Sequence, residues 1–371
     1  MDGRGDRGGD ADRRSDRRAP LRIPATGAHN RWHPDLEPVA VVRTGDEVTL
    51  ETRDGIDGQL TPESTHADVL GLDLGLAHPL TGPLYVEGAE PSDLLEVEFV
   101  EFEPASFGTT AIIPGFGFLA DLFTEPYLVK WQIEGGIARA EELPGVALPE
   151  ATFPGVVGVA PSAQLLERFR TREETIRAAG GPAADKLPEA AIPPSARDGI
   201  RTIPPRETGG NLDIRQLVAG SKLVLPVHVP GALLSIGDLH FAQGDGEVCG
   251  TAIEIAGAVT VRLRVLRGRS GGRFPSYTTP AEPSRGPSLA TTGIPVEAGM
   301  DINAAAREAL LEMIDLLAVR LEIERAAAYA LCSVAVDLRI SEVVDVPYPL
   351  VSALLPLGIL GAAAQSLSGT A

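Results

Sequence analysis

Between Pro38 and Arg267 the chain repeatedly alternates apolar and polar positions, the pattern of half-buried strands. In "VAVVRTGDEVTLETRDG" two strands flank a Thr44-Gly45-Asp46 turn, and Val48 and Leu50 share a face. "GPLYVEGAEPSDLLEVEFVEFEP" repeats the arrangement around Glu90–Asp93, with Leu95, Val97 and Phe99 on one side. Both read as hairpins. A second β block, 201–267, alternates Val259, Val261, Leu263 and Val265 against Thr260, Arg262 and Arg264. Helical spacing appears in two places. "AQLLERFRTREETIR" (163–177) predicts an amphipathic helix. Leu310, Ile314, Leu317 and Leu321 mark a second, with Asp301 or Asn303 as its cap, and an alanine-rich third is expected near 324–338. The expected fold is mainly β, with β-sandwich or jelly-roll-like and barrel parts plus C-terminal helices, α+β overall.

The same pattern divides the chain. Residues 1–20 form an Asp/Arg/Gly tail too polar to bury. Residues 21–160 form an N-terminal β-rich lobe, and 161–200 a helix followed by a mobile, proline-rich excursion. Residues 201–371 form a second β-rich lobe with the C-terminal helices, packed with the first as one catalytic unit.

Composition narrows the function. A net charge of -19 argues against nucleic acid, which needs clustered Lys and Arg, and against anionic membrane surfaces. No run of apolar residues is long enough to span a bilayer. The two cysteines, Cys249 and Cys332, read as reduced core thiols. The first 18 residues carry six Arg against five Asp, and no apolar stretch of a secretory signal follows. A cytoplasmic protein is expected.

Chemistry concentrates around the histidines. His66 lies in a polar loop and His228 on a strand without a neighbouring carboxylate. His29 and His33 frame "HNRWHPD", which reads either as a functional cluster or as a segment held by Trp32 packing. His78 precedes a proline, which keeps its backbone extended, and Asp73 and Glu87 flank it. In "GDLHFAQGDGE" (237–247), Asp238 and His240 fall on one strand face, and imidazole with carboxylates is an ordinary shell for Zn²⁺. Gly244-Asp245-Gly246 then permits a tight turn that returns Glu247 toward Gln243. There is no Gly-x-Ser-x-Gly elbow, P-loop or GxGxxG.

Taken together, "HNRWHPDLEPV" (29–39), "HPLTGPLYVEGAEPSDLLEVE" (78–98), "FPGVVGVAPS" (153–162), the long run 201–254 and "YALCSVAVDLRISEVVD" (329–345) resemble the acetamidase/formamidase family, in its formamidase-like branch. The resemblance implies a β-rich, homo-oligomeric enzyme. It would hydrolyse short, neutral aliphatic amides to carboxylate and ammonia, with a divalent metal, often zinc. On that basis His78, Asp238, His240 and Asp73 are expected as metal ligands. Glu247 is expected as general base, with a ligand role for it left open, and Asn211 and Asp213 as catalytic partners. Gly210, Gln243 and Thr81 are expected to bind substrate, and "TGGNLD" (208–213) to cradle an oxyanion with backbone N–H groups. The rival readings are a thiol route through Cys249, a hydrolase of a larger amide, and a non-catalytic β protein that binds a metal or small ligand.

Overall fold

The computed structural model describes residues 21–358 except 269–271, 283–285, 324, 326, 327, 329–331, 333 and 334. The expected tail therefore lies outside the described residues, as does most of the alanine-rich helix. Asp337 and Leu338, placed in that helix by their spacing, belong to a strand instead.

Eighteen of the described strands hydrogen-bond into one curled sheet, giving a mostly β, α+β fold. Those that build the site are β1 (Glu47–Thr52), β2 (Leu80–Val86), β3 (Leu94–Ile112), β4 (Phe153–Val159), β5 (Gly209–Asn211), β6 (Ala232–His240), β7 (Glu254–Leu266), β8 (Asp337–Glu342) and β9 (Leu350–Pro356). β6 is buried along its whole length. It runs antiparallel to β4, with Phe153 opposite His240 and Val156 opposite Gly237. It also pairs antiparallel with β2, and its last two residues, Leu239 and His240, face Ile255 and Glu254 of β7. Beyond β4 lies β5, with Asn211 opposite Val156.

The two expected hairpins do not form as pairs. The strand Ala40–Val42 runs parallel to β2, while β1 pairs with β7. β2 pairs with β6, and β3 with β7. The turns at Arg43–Asp46 and Glu90–Asp93 are present, each closed by a backbone bond of 3.0 Å, yet the strands they join take more distant partners. Periodicity reports which face a strand buries, not which strand lies beside it. The faces themselves follow the pattern: Val48, Leu50, Leu95, Val97, Phe99, Val259, Val261 and Leu263 are all buried in one core cluster. At about 25 cal/mol per Å² of apolar surface removed from water, each of these side chains contributes roughly 1.5–3 kcal/mol.

Helix α1 (Ala163–Ala178) starts where Ser162 Oγ accepts from Leu165 N–H at 3.2 Å, and it buries Leu165, Leu166 and Phe169. Helix α2 (Ile302–Leu321) is capped by Asp301, which accepts from Ala304 N–H at 3.0 Å. It packs Ala305, Ala309, Met313 and Leu317 against Leu289, Val351 and Leu355. The proline-rich excursion hydrogen-bonds to the body of the protein. Asn30 Nδ2 donates to Gly75 and Ala190, Asn30 Oδ1 accepts from Ile192, and the Arg31 and Arg201 guanidiniums donate to Leu187 and Asp185. His29 is also internal, bonding Arg31 O through Nδ1 and Ser235 Oγ through Nε2, each at 2.8 Å. "HNRWHPD" is thus a packed clamp built around buried Trp32.

Candidate active site

The C-terminal end of β6 places Asp238 on the wall of a narrow cavity and His240 beside it, Nε2 to Oδ2 at 3.4 Å. Around them converge Asp213 after β5, Glu247 from the 244–250 turn, Glu254 at the start of β7, and Glu342 and Asp345 at the end of β8. All are buried. The C-terminal strands reach the turn because Gly246 bridges Glu342 and its N–H bonds Ser341 O at 3.0 Å. Asp213, Asp238 and Glu247 all hold left-handed backbone, with φ of 45°, 56° and 45°. That conformation costs a residue other than glycine about 1 kcal/mol, and such strain gathers where side chains must be aimed.

Two glycines let the cluster close. A Cβ at Gly155 would lie 2.6 Å from Asp213 Oδ1 and Asp238 Oδ2 and 2.8 Å from His240 Cε1. A Cβ at Gly55 would lie 2.1 Å from Asp238 Oδ1 and 3.0 Å from Glu254 Oε2.

The histidine is oriented by Gln243. Its Nε2 donates to the Asp213 carbonyl at 2.9 Å, which turns Oε1 toward His240 Nδ1, also at 2.9 Å. Nδ1 must therefore donate. His240 Nε2 then faces Asp238 Oδ2 at 3.4 Å and Glu254 Oε2 at 3.3 Å. His240 Nε2, Glu254 Oε2 and both Asp213 oxygens are buried without a hydrogen-bond partner among the described residues. Two sets of donor atoms, Asp238/His240/Glu254 and Asp213/His240/Glu247, each lie within 4.8 Å of one another. Buried carboxylates facing an imidazole nitrogen, with their lone pairs unspent, fit a divalent cation with nitrogen and oxygen preferences.

The charges respond to this crowding. Burial lifts the Glu254 carboxyl to about 7, with the Asp238 charge adding to it against the pull of His240. Burial, reinforced by Asp213, holds Glu247 well above the usual carboxylate range. Glu342 and Asp345 are pushed up the same way, by burial and then by the neighbouring carboxylates. Asp213 is raised by burial as well. Burial works against Asp238 ionising, but the His78 and His240 imidazoles outweigh it and keep its carboxyl low. Burial works against protonated His240, and Glu254 and Asp238 reverse the effect, holding it well above the ordinary histidine range.

The cavity above the cluster measures about 80 Å³. His78, Asn211, Asp238, Glu247, Glu254 and Asp345 line its polar side. His78 is anchored by its backbone N–H to Thr202 Oγ1 at 2.8 Å, its Nδ1 has no partner among the described residues, and burial lowers its pKa against the pull of Asp238 and Asp213. Asn211 Nδ2 donates to Asp345 Oδ2 at 2.7 Å, and its Oδ1 has no partner among the described residues.

Six of the residues expected from sequence, His78, Asn211, Asp213, Asp238, His240 and Glu247, come together here, and Gln243 stands directly behind His240. The others do not. Asp73 is exposed and caps a single helical turn through Gly75 N–H at 2.8 Å. Thr81 spends its hydroxyl on the Glu51 carbonyl at 2.5 Å. Gly210 lies in the β5 ladder against Pro204 and Trp32, not on the cavity wall. Nor do the N–H groups of Leu212 and Asp213 form a free cradle, because both bond to Gly155 O. Cys249 is not in a strand: it sits in the turn after Glu247, with Sγ on the Thr251 carbonyl at 3.4 Å. Glu254, Glu342, Asp345, Gly55 and Gly155 were not anticipated. No local signal marked Glu254, which between Ile253 and Ile255 reads as the solvent-facing position of an alternating strand.

A curled, mostly antiparallel sheet ending in a buried carboxylate–histidine centre under a small cavity defines a protein built to handle a small ligand. The profile of the Acetamidase/Formamidase family matches residues 15–362, and the chain belongs to that family. It is 38% identical over 280 residues to the acetamidase of Mycolicibacterium smegmatis, covering 67% of this chain and 68% of that protein. It is 34% identical over 365 residues to the formamidase of Methylophilus methylotrophus, covering 89% of each. Among solved structures it resembles an acetamidase from Bacillus halodurans with a TM-score of 0.74 and 29% identity, covering 92% of this chain and 99% of that one. No helix among the described residues is long and apolar enough to cross a membrane.

Proposed function

We propose that this protein is an amidohydrolase that converts short aliphatic amides, formamide and acetamide foremost, to carboxylate and ammonia, and that it does so with a divalent metal, Zn²⁺ by its donor set. One observation carries the reading. His240 Nε2, its tautomer set by Gln243, faces the buried carboxylates of Asp238 and Glu254, and neither Nε2 nor Glu254 Oε2 has a hydrogen-bond partner among the described residues. Asp238, His240 and Glu254 would hold the metal, with Asp213 and Glu247 on the other side of the imidazole. When bound, such an ion lowers the pKa of water toward about 7 and polarises a carbonyl.

The chain's own groups supply the rest. Asn211 Oδ1, without a partner among the described residues and with its residue on the cavity wall, accepts from the substrate NH₂. His78, whose Nδ1 has no partner among the described residues, offers a ring N–H to the substrate oxygen. Glu247 takes the proton from the attacking water and returns it to the departing nitrogen. A carboxyl lifted by burial binds that proton more tightly than an exposed glutamate would. Gln243 acts through His240 by fixing its ring. Homo-oligomeric assembly and a cytoplasmic location belong to the same reading.

Ammonia release from formamide, acetamide and propionamide tests it. Turnover of at least one, abolished in Glu247→Gln, is the expected result. A protein that binds metal but releases no ammonia from any of them would be a binding protein instead.

A further inference from the structure

We propose that Phe116 is the stop against which the acyl end of the substrate rests, so that this residue sets the chain length the protein accepts. The proposal rests on the amide-hydrolase reading above.

The cavity has two kinds of lining. Besides the carboxylates and Asn211 it is bounded by Ile56, Ile113, Phe116 and Ile203. An aliphatic amide is equally two-sided, with a group that needs hydrogen bonds and an alkyl chain that accepts none. Only one orientation leaves neither end unsatisfied, with the amide on the acids and the alkyl chain against the apolar wall. A volume of about 80 Å³ is roughly two to three waters' share of liquid volume, at about 30 Å³ each. That is room for an amide of very few carbons.

The wall is held in place. Phe116 packs on the satellite cluster that includes Ile56 and Ile113, and its N–H bonds Ile113 O at 3.0 Å. Its ring stands over Gly250, where a Cβ would come within 2.3 Å of it. Next in the chain, Gly117 takes φ of 100° and lies so close to the Cys249 carbonyl that a Cβ would meet it at 2.8 Å. Phe118 N–H then bonds Val248 O at 2.9 Å. The loop that carries Phe116 is thus latched to the turn that carries Glu247. A longer acyl chain has to displace the ring together with that turn.

The test compares kcat/KM for formamide, acetamide, propionamide, butyramide and hexanamide in the wild type and in Phe116→Leu, Phe116→Ala and Phe116→Trp. In the wild type, activity should fall about 10-fold or more per methylene beyond the chain that fits. Phe116→Ala should raise the butyramide-to-formamide ratio by about 10- to 100-fold, with Phe116→Leu intermediate. Phe116→Trp should lower acetamide relative to formamide. Phe118→Ala, on the same loop but more than half exposed, should leave the ratios unchanged, which separates acyl selection from general loosening of the loop. Should Phe116→Ala not fold, the Leu and Trp variants decide, since they must shift the ratios in opposite directions. Wild-type turnover with ratios unmoved in those two variants overturns the role of Phe116 alone. No ammonia from any amide in the wild type overturns the amide-hydrolase reading instead.

Discussion

Replacing Gly155 with alanine adds one methyl group where the cluster has no space for it. The new carbon would lie 2.6 Å from Asp213 Oδ1, 2.6 Å from Asp238 Oδ2 and 2.8 Å from His240 Cε1. Ordinary contacts begin near 3.4 Å, so three neighbours must each retreat by about 0.6–0.8 Å. None can do so freely: all three are buried, and both aspartates hang from left-handed backbone. Gly155 itself does not have positive φ, so alanine suits the backbone and the effect comes from crowding alone. Overpacking of this kind costs about 1–3 kcal/mol. Metal ligands tolerate displacements of only about 0.2 Å, so affinity for Zn²⁺ should fall at least about tenfold. Competition with a chromophoric chelator measures the affinity, and thermal unfolding with and without Zn²⁺ measures the stability. Gly244→Ala is the control, because its Cβ would meet nothing within 4 Å. Wild-type Zn²⁺ affinity and activity in Gly155→Ala would refute the packing of these three side chains into one site.

Two further outcomes concern protons. In metal-free protein, burial holds Glu254 near about 7 against an ordinary value of 4.5. The folded state therefore keeps a proton that the unfolded chain has lost, and stability falls as pH rises from about 4.5 through about 7, by up to roughly 3 kcal/mol. Metal-free Glu254→Gln should lack this loss and exceed the wild type in denaturant titrations at pH 8, while added Zn²⁺ reverses the order; parallel stability curves across pH would contradict it. His29 shows the opposite sign. Burial lowers it to about 4 from 6.5, although its bond to Arg31 O opposes this. The unfolded chain protonates first as pH falls, so stability drops between about 6.5 and about 4, by up to roughly 3 kcal/mol. His29→Asn should flatten that acid limb of the stability profile.

Much of the site could be read from residue order because β6 carries it locally. Alternation put Asp238 and His240 on one face, and the glycine-rich turn pointed Glu247 back toward Gln243, while which side it faces had to come from the structure. Glu254 escaped because the return strand pairs only at Leu239 and His240, after a 13-residue connection whose register no local pattern reveals. Glu342 and Asp345 arrive through a bridge between Gly246 and Glu342, nearly 100 residues apart. Asp73 and Thr81 carried suitable side chains, but nearby backbone claims both: one caps a helical turn and the other bonds Glu51 O. Residue type alone cannot show whether a polar atom is already spent. The expected hairpins failed for a related reason. Turn chemistry was right at both places, while pairing was decided by the burial of whole faces in a sheet of eighteen strands.

The most direct test of the account is ammonia release from acetamide by chelator-stripped protein, followed as Zn²⁺ is added back and bound metal is counted. The account predicts little release from stripped protein and recovery that saturates as the Asp238–His240–Glu254 site fills, with neither binding nor recovery in His240→Ala. Full turnover by protein shown to be free of metal would contradict it.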